Sequence, residues 1–168
     1  EALLSPAMGQ AQAVIGIHMA GTMHALAAIL AIVRLKQVAL PLSAEMPVAE
    51  QIEQQRIAGA TFVLSAEGLR SQPPIASASK LINQLSARGH AGLILFSSGT
   101  SGEPKGMLHD LNALLERYRE VRPRADRTVQ LLLADHIGGL DSAFRTLFAG
   151  STLVVPEARS AVAVGEAI

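Results

Sequence analysis

The sequence predicts an α/β fold with a mainly parallel sheet and flanking helices, and three observations carry that expectation. Short apolar runs alternate with longer stretches bearing helix start and stop signals, in the order strand, helix, strand, helix, strand over residues 13–64. Proline and glycine stand where such elements begin and end, Pro47 ahead of one helix and Gly59 after it. A further apolar run at 93–96 passes straight into a turn of glycines and hydroxyl residues, and ligands of open α/β sheets bind beyond the carboxyl ends of strands.

Taken in order, residues 2–33 contain no Asp, Glu, Lys or Arg, a length that has to be weighed as a membrane span. Pro6, Gly9, Gln10, Gln12, Gly16, His18, Gly21, Thr22 and His24 interrupt it, so a strand at 13–17 and a helix at 23–35 fit better and no membrane span is expected. Thr22 is the expected N-cap of that helix, and Arg34 and Lys36 suit its C-terminal dipole. Residues 38–42 read as a buried strand, with Pro41 implying a sheet edge or a strand end. A loop at 43–47 leads to a helix at 48–58, and 61–64 form the next strand.

Residues 67–79 carry Gly, Ser, Gln and the pair Pro73-Pro74 with little periodicity, and read as a linker or surface excursion. They divide a front βαβαβ portion, 1–66, from a portion at 80–168. The latter opens with a helix at 80–88 and a strand at 92–96. Leu108, Leu111, Leu114 and Leu115 give 107–119 a helical pattern, which sets the glycine-rich turn between a strand and a helix and adds a helix N-terminus to it. His109, in the first turn of that helix, reads as a local hydrogen-bonding residue. Arg122, Arg124 and Arg127 crowd a connection that reads first as a solvated loop and second as a basic patch for a phosphate-bearing partner. A strand at 128–133, the segment 136–140 followed by a helix to about Ala149, and a strand-like run at 150–155 complete the pattern.

Composition narrows the function. Lys plus Arg and Asp plus Glu balance at 14 each, so no charged field argues for nucleic acid. Trp is absent, which argues against a base-stacking platform. The lack of cysteine removes disulfide and thiolate chemistry and fits a cytoplasmic location. His18, His24 and His90 have no ligand spacing for a metal, and Ser97 and Ser98 lack the context of a nucleophile.

The chemistry sits in residues 93–106, Leu-Ile-Leu-Phe-Ser-Ser-Gly-Thr-Ser-Gly-Glu-Pro-Lys-Gly. Glycines let backbone N–H groups approach an anion, hydroxyls add donors, and a lysine brings a compact positive charge. The spacing is not that of a Walker A loop, because Pro104 stands where its second glycine belongs and Gly106 follows the lysine. The stretch resembles the Ser-Ser-Gly-Thr-Thr/Ser-Gly-x-Pro-Lys-Gly signature of the adenylate-forming superfamily, which includes acyl- and aryl-CoA synthetases, adenylation domains of nonribosomal peptide synthetases and luciferase. The turn at 40–47, with Pro41 and Pro47, resembles the front part of that family, and His136-Ile137-Gly138-Gly139 resembles its second recognisable region.

The resemblance implies part of the large N-terminal domain of such an enzyme, an excised piece of a longer chain that is inactive alone. It implies a ligase that joins a carboxylic acid to AMP with release of pyrophosphate and then passes the acyl group to CoA or to the phosphopantetheine of a carrier protein. An acyl-CoA synthetase for a fatty or other carboxylic acid is the first expectation. The alternatives are an amino-acid or aryl-acid adenylation domain and a non-catalytic nucleotide-binding module. ATP and Mg²⁺ are the implied cofactors. By the same resemblance Ser97, Ser98, Gly99, Thr100, Ser101, Gly102 and Lys105 hold the phosphates, Thr100 and Lys105 carry the catalysis, Thr100 also touches Mg²⁺, and His136 and Gly139 border the acid pocket.

Overall fold

Three runs free of charged residues, β1 (Val14–His18), β2 (Val38–Pro41) and β5 (Gly92–Ser97), lie side by side in the computed structural model, which describes residues 12–19, 21–73, 79–97 and 104–167. They belong to a six-stranded sheet of order β4-β3-β1-β2-β5-β6. The inner four strands are parallel, and β3 (Phe62–Ser65) pairs with β1. The outer two, β4 (Gly68–Ser71) and β6 (Lys105–Asp110), are antiparallel to their neighbours. Crossover helices require the inner strands to be covered on both faces, which is why β1, β2 and β5 are apolar without alternation.

One face packs against α1 (Thr22–Arg34), α4 (Leu111–Glu116) and α5 (Ile137–Phe148), joining Ile15, Ile17, Leu93 and Leu95 to Ile29, Leu111, Leu140 and Phe144. The other face joins Val14, Val38, Leu40 and Ile94 to Ile82 of α3 (Lys80–Ala87). Each such fully buried aliphatic side chain contributes roughly 1.5–3 kcal/mol. The helix α2 (Val48–Ala58) ends at Gly59, whose φ of 67° is the left-handed cap the sequence predicts there. It buries Gln51, whose amide ties the Ser43 and Met46 carbonyls of the turn after β2. A small parallel pair, β7 (Arg127–Val129) and β8 (Thr152–Val154), flanks the main sheet, and α6 (Ala161–Ala167) follows. No helix among the described residues is long and apolar enough to cross a membrane.

The mainly parallel sheet with flanking helices agrees with the sequence, and several local expectations change. Thr22 is not the N-cap of α1 but its first residue; Gly21 takes the cap position at φ 101°. Pro41 marks a strand end, since β2 is central. Residues 68–71, read as part of an excursion, form an edge strand hairpinned onto β3. The largest change follows the glycine-rich turn. Residues 105–110 are a strand paired residue for residue with β5, so the turn joins two antiparallel strands and has no helix N-terminus behind it. The helix begins only at Leu111, because Asp110 caps it by accepting a hydrogen bond from the Ala113 amide at 3.0 Å. Leu108 thus belongs to a strand, and its spacing to Leu111 is coincidental. His109 is a strand residue opposite Leu93, not a first-turn residue, and its Nε2 is buried with no hydrogen-bond partner among the described residues. The strand expected at 128–133 stops at Val129, because the Gln130 side chain bonds the Leu132 and Gly139 carbonyls and turns the chain into α5.

Candidate active site

The four parallel strands end on one edge of the sheet, at His18, Pro41, Ser65 and Ser97. Because β6 runs back along β5, Lys105 opens at that same edge, directly opposite Ser97 in the register. Opposed residues of an antiparallel pair project from the same face. A half-buried hydroxyl and an exposed ammonium therefore stand together at the root of the connection. Ser98, Gly99, Thr100, Ser101 and Gly102 lie outside the described residues. One pair further in, Gly106 faces Phe96, and a Cβ on Gly106 would stand 3.2 Å from Phe96 Cζ. The glycine after the lysine thus leaves room for the aromatic ring to lie across the hairpin, a cross-strand packing that steadies its register.

A cavity of about 140 Å³ lies beside this edge, between the start of α1, the turn after β2 and residues 133–135. Thr22, Ser43 and Asp135 supply polar groups to it. The Asp135 side chain is only 12% exposed, and its Oδ1 is buried with no hydrogen-bond partner among the described residues. The His136 Nε2 stands 3.7 Å from it. Asp135 is the group that reading the sequence for motifs passes over: nothing in its letter marks a burial that only the packing of α5 against the sheet creates.

His136 and Gly139 both sit at the start of α5, but in different environments. His136 occupies the N-cap position with an exposed side chain and does not line the cavity. Gly139 is buried in the first turn, where a Cβ would stand 1.9 Å from the Leu133 carbonyl oxygen. Its own carbonyl accepts a hydrogen bond from Gln130 Nε2 at 3.0 Å. The immediate reason for a glycine here is thus backbone contact between α5 and the segment that delivers Asp135 to the cavity. Among the described residues no three His, Cys, Asp or Glu side chains converge in a way that holds a metal ion.

Solved structures share this architecture. The N-terminal domain of FACL13 from Mycobacterium tuberculosis, crystallised with an inhibitor, is 19% identical with a TM-score of 0.73, over 99% of this chain and 50% of that one. The o-succinylbenzoate CoA synthetase MenE of Bacillus subtilis, in complex with its acyl-adenylate intermediate, is 19% identical with a TM-score of 0.69, over 98% and 48%. The N-terminal subdomain of NpsA from Klebsiella oxytoca, with 3-hydroxybenzoyl-AMSN, is 18% identical with a TM-score of 0.73, over 98% and 46%. At this identity the likeness shows the fold, and the chain spans about half the length of these structures. No curated protein sequence matches the chain. The family model for AMP-binding enzymes matches residues 2–167, nearly the whole sequence, and the chain belongs to that family.

Proposed function

We propose that this chain forms one wall of the active site of an ATP-dependent carboxylate-activating ligase, an acyl-CoA synthetase acting on a fatty or other carboxylic acid. The observation that carries the reading is the pairing of Ser97 with Lys105 at the carboxyl edge of the parallel strands, the two residues that flank the glycine- and hydroxyl-rich stretch of the motif in the sequence. Family membership supports the same reading. In the first step the carboxylate attacks the α-phosphorus of ATP, the bond to the bridging oxygen breaks, and pyrophosphate leaves with the developing negative charge. Lys105 offsets that charge, and the hydroxyls of Ser97, Ser98, Thr100 and Ser101 donate to the β- and γ-phosphate oxygens. Gly99 and Gly102 let the backbone amides approach. These groups position and stabilise without forming a covalent bond, so the loop's work is to hold the phosphates for in-line displacement. Mg²⁺ would be carried on the phosphate oxygens as part of the substrate, with Thr100 as the residue assigned to it.

His136 and Gly139 border the acid in this reading, and a thiol of CoA or of a carrier-protein pantetheine then takes the acyl group. A second reading, an adenylation domain for an acid that bears an amino or hydroxyl group, is favoured by one observation. The unpartnered Asp135 carboxylate oxygen in the cavity beside the same edge fits a hydrogen-bond donor. The complete protein is the one to assay. Acid-dependent exchange of pyrophosphate into ATP, screened over fatty, aryl and amino acids, is the expected activity, and the most active acid separates the two readings. ATP turnover indifferent to every acid rejects both.

A further inference from the structure

We propose that the cleft between the C-terminal ends of α4 and α5 is a second anion site, shaped for a small organic diphosphate and separate from the sheet edge that Ser97 and Lys105 mark. The cleft encloses about 480 Å³, within the range of small-molecule sites. Four guanidinium groups border it: Arg117 from the end of α4, Arg122 and Arg124 from the following connection, and Arg145 from α5. Glu120 and Asp126 are the carboxylates on its wall, so the positive groups outnumber the negative by two. Planar guanidinium forks match phosphoryl oxygens with paired N–H donors.

Two bland explanations for these arginines fail. Ion pairs engage only two of the four: Arg124 stands 4.0 Å from Asp126 and Arg145 3.6 Å from Asp141, while Arg117 and Arg122 form no ion pair among the described residues. Nor are they needed to cap α5, because the amides of Ala149, Gly150 and Ser151 already bond the carbonyls of Arg145, Leu147 and Thr146. The connection that carries Arg122 and Arg124 is also pinned rather than loose. The Arg124 amide donates to the Ala149 carbonyl at 2.9 Å, its carbonyl accepts from Ser151 Oγ at 3.0 Å, and the Thr152 amide donates to the Asp126 carbonyl at 2.9 Å. Arg145 is held by Asp141 and lies 6.0 Å from the Tyr118 ring centroid. The backbone of the connection and the Arg145 side chain are therefore held before any ligand arrives, which lowers part of the ordering cost of binding.

The site is separate from the candidate active site: His136 caps the start of α5, whereas the cleft's lining on that helix begins at Ser142, roughly 9 Å further along its axis. Inorganic pyrophosphate fills only part of such a volume, which argues for an attached organic group.

The test is calorimetric titration of the complete protein with pyrophosphate and, separately, with a nucleoside diphosphate. Two classes of site are expected. The double variant Arg117→Ala/Arg122→Ala removes one class, weakening it at least about tenfold, while Lys105→Ala weakens only the other. Tighter binding of the nucleoside diphosphate than of pyrophosphate to the arginine-dependent class supports the organic group, and the reverse order overturns that part. A single class abolished by Lys105→Ala, or unchanged titration in the double variant, overturns the site itself. Arg122→Gln, at an exposed position, serves where the double variant fails to fold, and unaltered binding in that folded protein is equally decisive.

Discussion

Ser97 and Lys105 stand directly opposite each other as the last pair of the β5–β6 hairpin, so whatever the intervening residues do is anchored by a hydroxyl and an ammonium on one face. Lys105 is exposed and makes no structural contact that burial would protect. In the complete protein Lys105→Ala is expected to slow acid-dependent pyrophosphate exchange by ~10²-fold, the scale of losing one charge-stabilising donor, while the thermal midpoint stays within about 1 °C. Lys105→Arg keeps the charge and recovers part of the rate. Exchange at the wild-type rate in Lys105→Ala removes the lysine from the chemistry.

The two glycines of α5's first turn are expected to behave oppositely. A Cβ on Gly139 meets the Leu133 carbonyl oxygen at 1.9 Å, and backbone cannot yield as the end of a side chain can. A Cβ on Gly138 meets only Leu132 Cδ1, at 3.5 Å, an ordinary contact. Gly139→Ala should lower the free energy of unfolding by about 2 kcal/mol or more, whereas Gly138→Ala should be neutral or slightly stabilising through helix propensity. Urea denaturation of both variants checks the contrast, and equal midpoints refute it.

What the sequence made legible follows from how local each signal is. The boundaries of α2 are readable because Pro47 and Gly59 each fix their own backbone conformation. The apolar runs of β1, β2 and β5 are readable because burial on both faces demands that composition. The strand β6 is not, because Leu108, Leu111, Leu114 and Leu115 satisfy a helical spacing while the first of them is held in a ladder by β5, a partner set by the fold rather than by neighbours in the chain. For the same reason Ser97 and Lys105 are readable as motif members, but their direct opposition is not. Asp135 and Gln130 lie further out of reach: their roles depend on the burial that α5 imposes.

Asp110 couples the end of β6 to the start of α4. Burial raises its carboxyl pKa, but hydrogen bonds from the Ala113 amide and from His90, at 2.8 Å, prevail and hold it below the usual carboxylate range. A carboxyl with a lower pKa in the folded state stabilises that state above its unfolded pKa and loses this contribution as pH falls through the folded value. Asp110→Ala should therefore cost about 1 kcal/mol at pH 7, and the gap between wild type and variant should close as the medium is acidified below about pH 4. Urea midpoints at pH 7, 4 and 3 measure that gap; a constant difference means the charge of Asp110 contributes nothing.

At the alkaline end Tyr118 sets the corresponding limit. Its ring is buried against Phe144 and Phe148, with centroids 6.0 and 5.8 Å away, and its hydroxyl donates to Asp141 Oδ1 at 2.7 Å. Burial first, and the neighbouring carboxylate second, push the phenol up from 10.0 to about 12. Between those values an unfolded tyrosine releases its proton while the folded one keeps it, so the unfolded state gains and stability falls as pH rises. Tyr118→Phe retains the ring contacts and removes the titration. At pH 8 the variant should be less stable by about 1 kcal/mol for the lost hydrogen bond. Toward pH 12 wild type should decline more steeply, by on the order of 2–3 kcal/mol relative to the variant, so that the two curves cross. Tyr118 is the one tyrosine of the sequence and the lysines are common to both proteins, so the difference isolates this phenol; parallel curves from pH 8 to 12 would show that Tyr118 is no harder to ionise than a tyrosine in water.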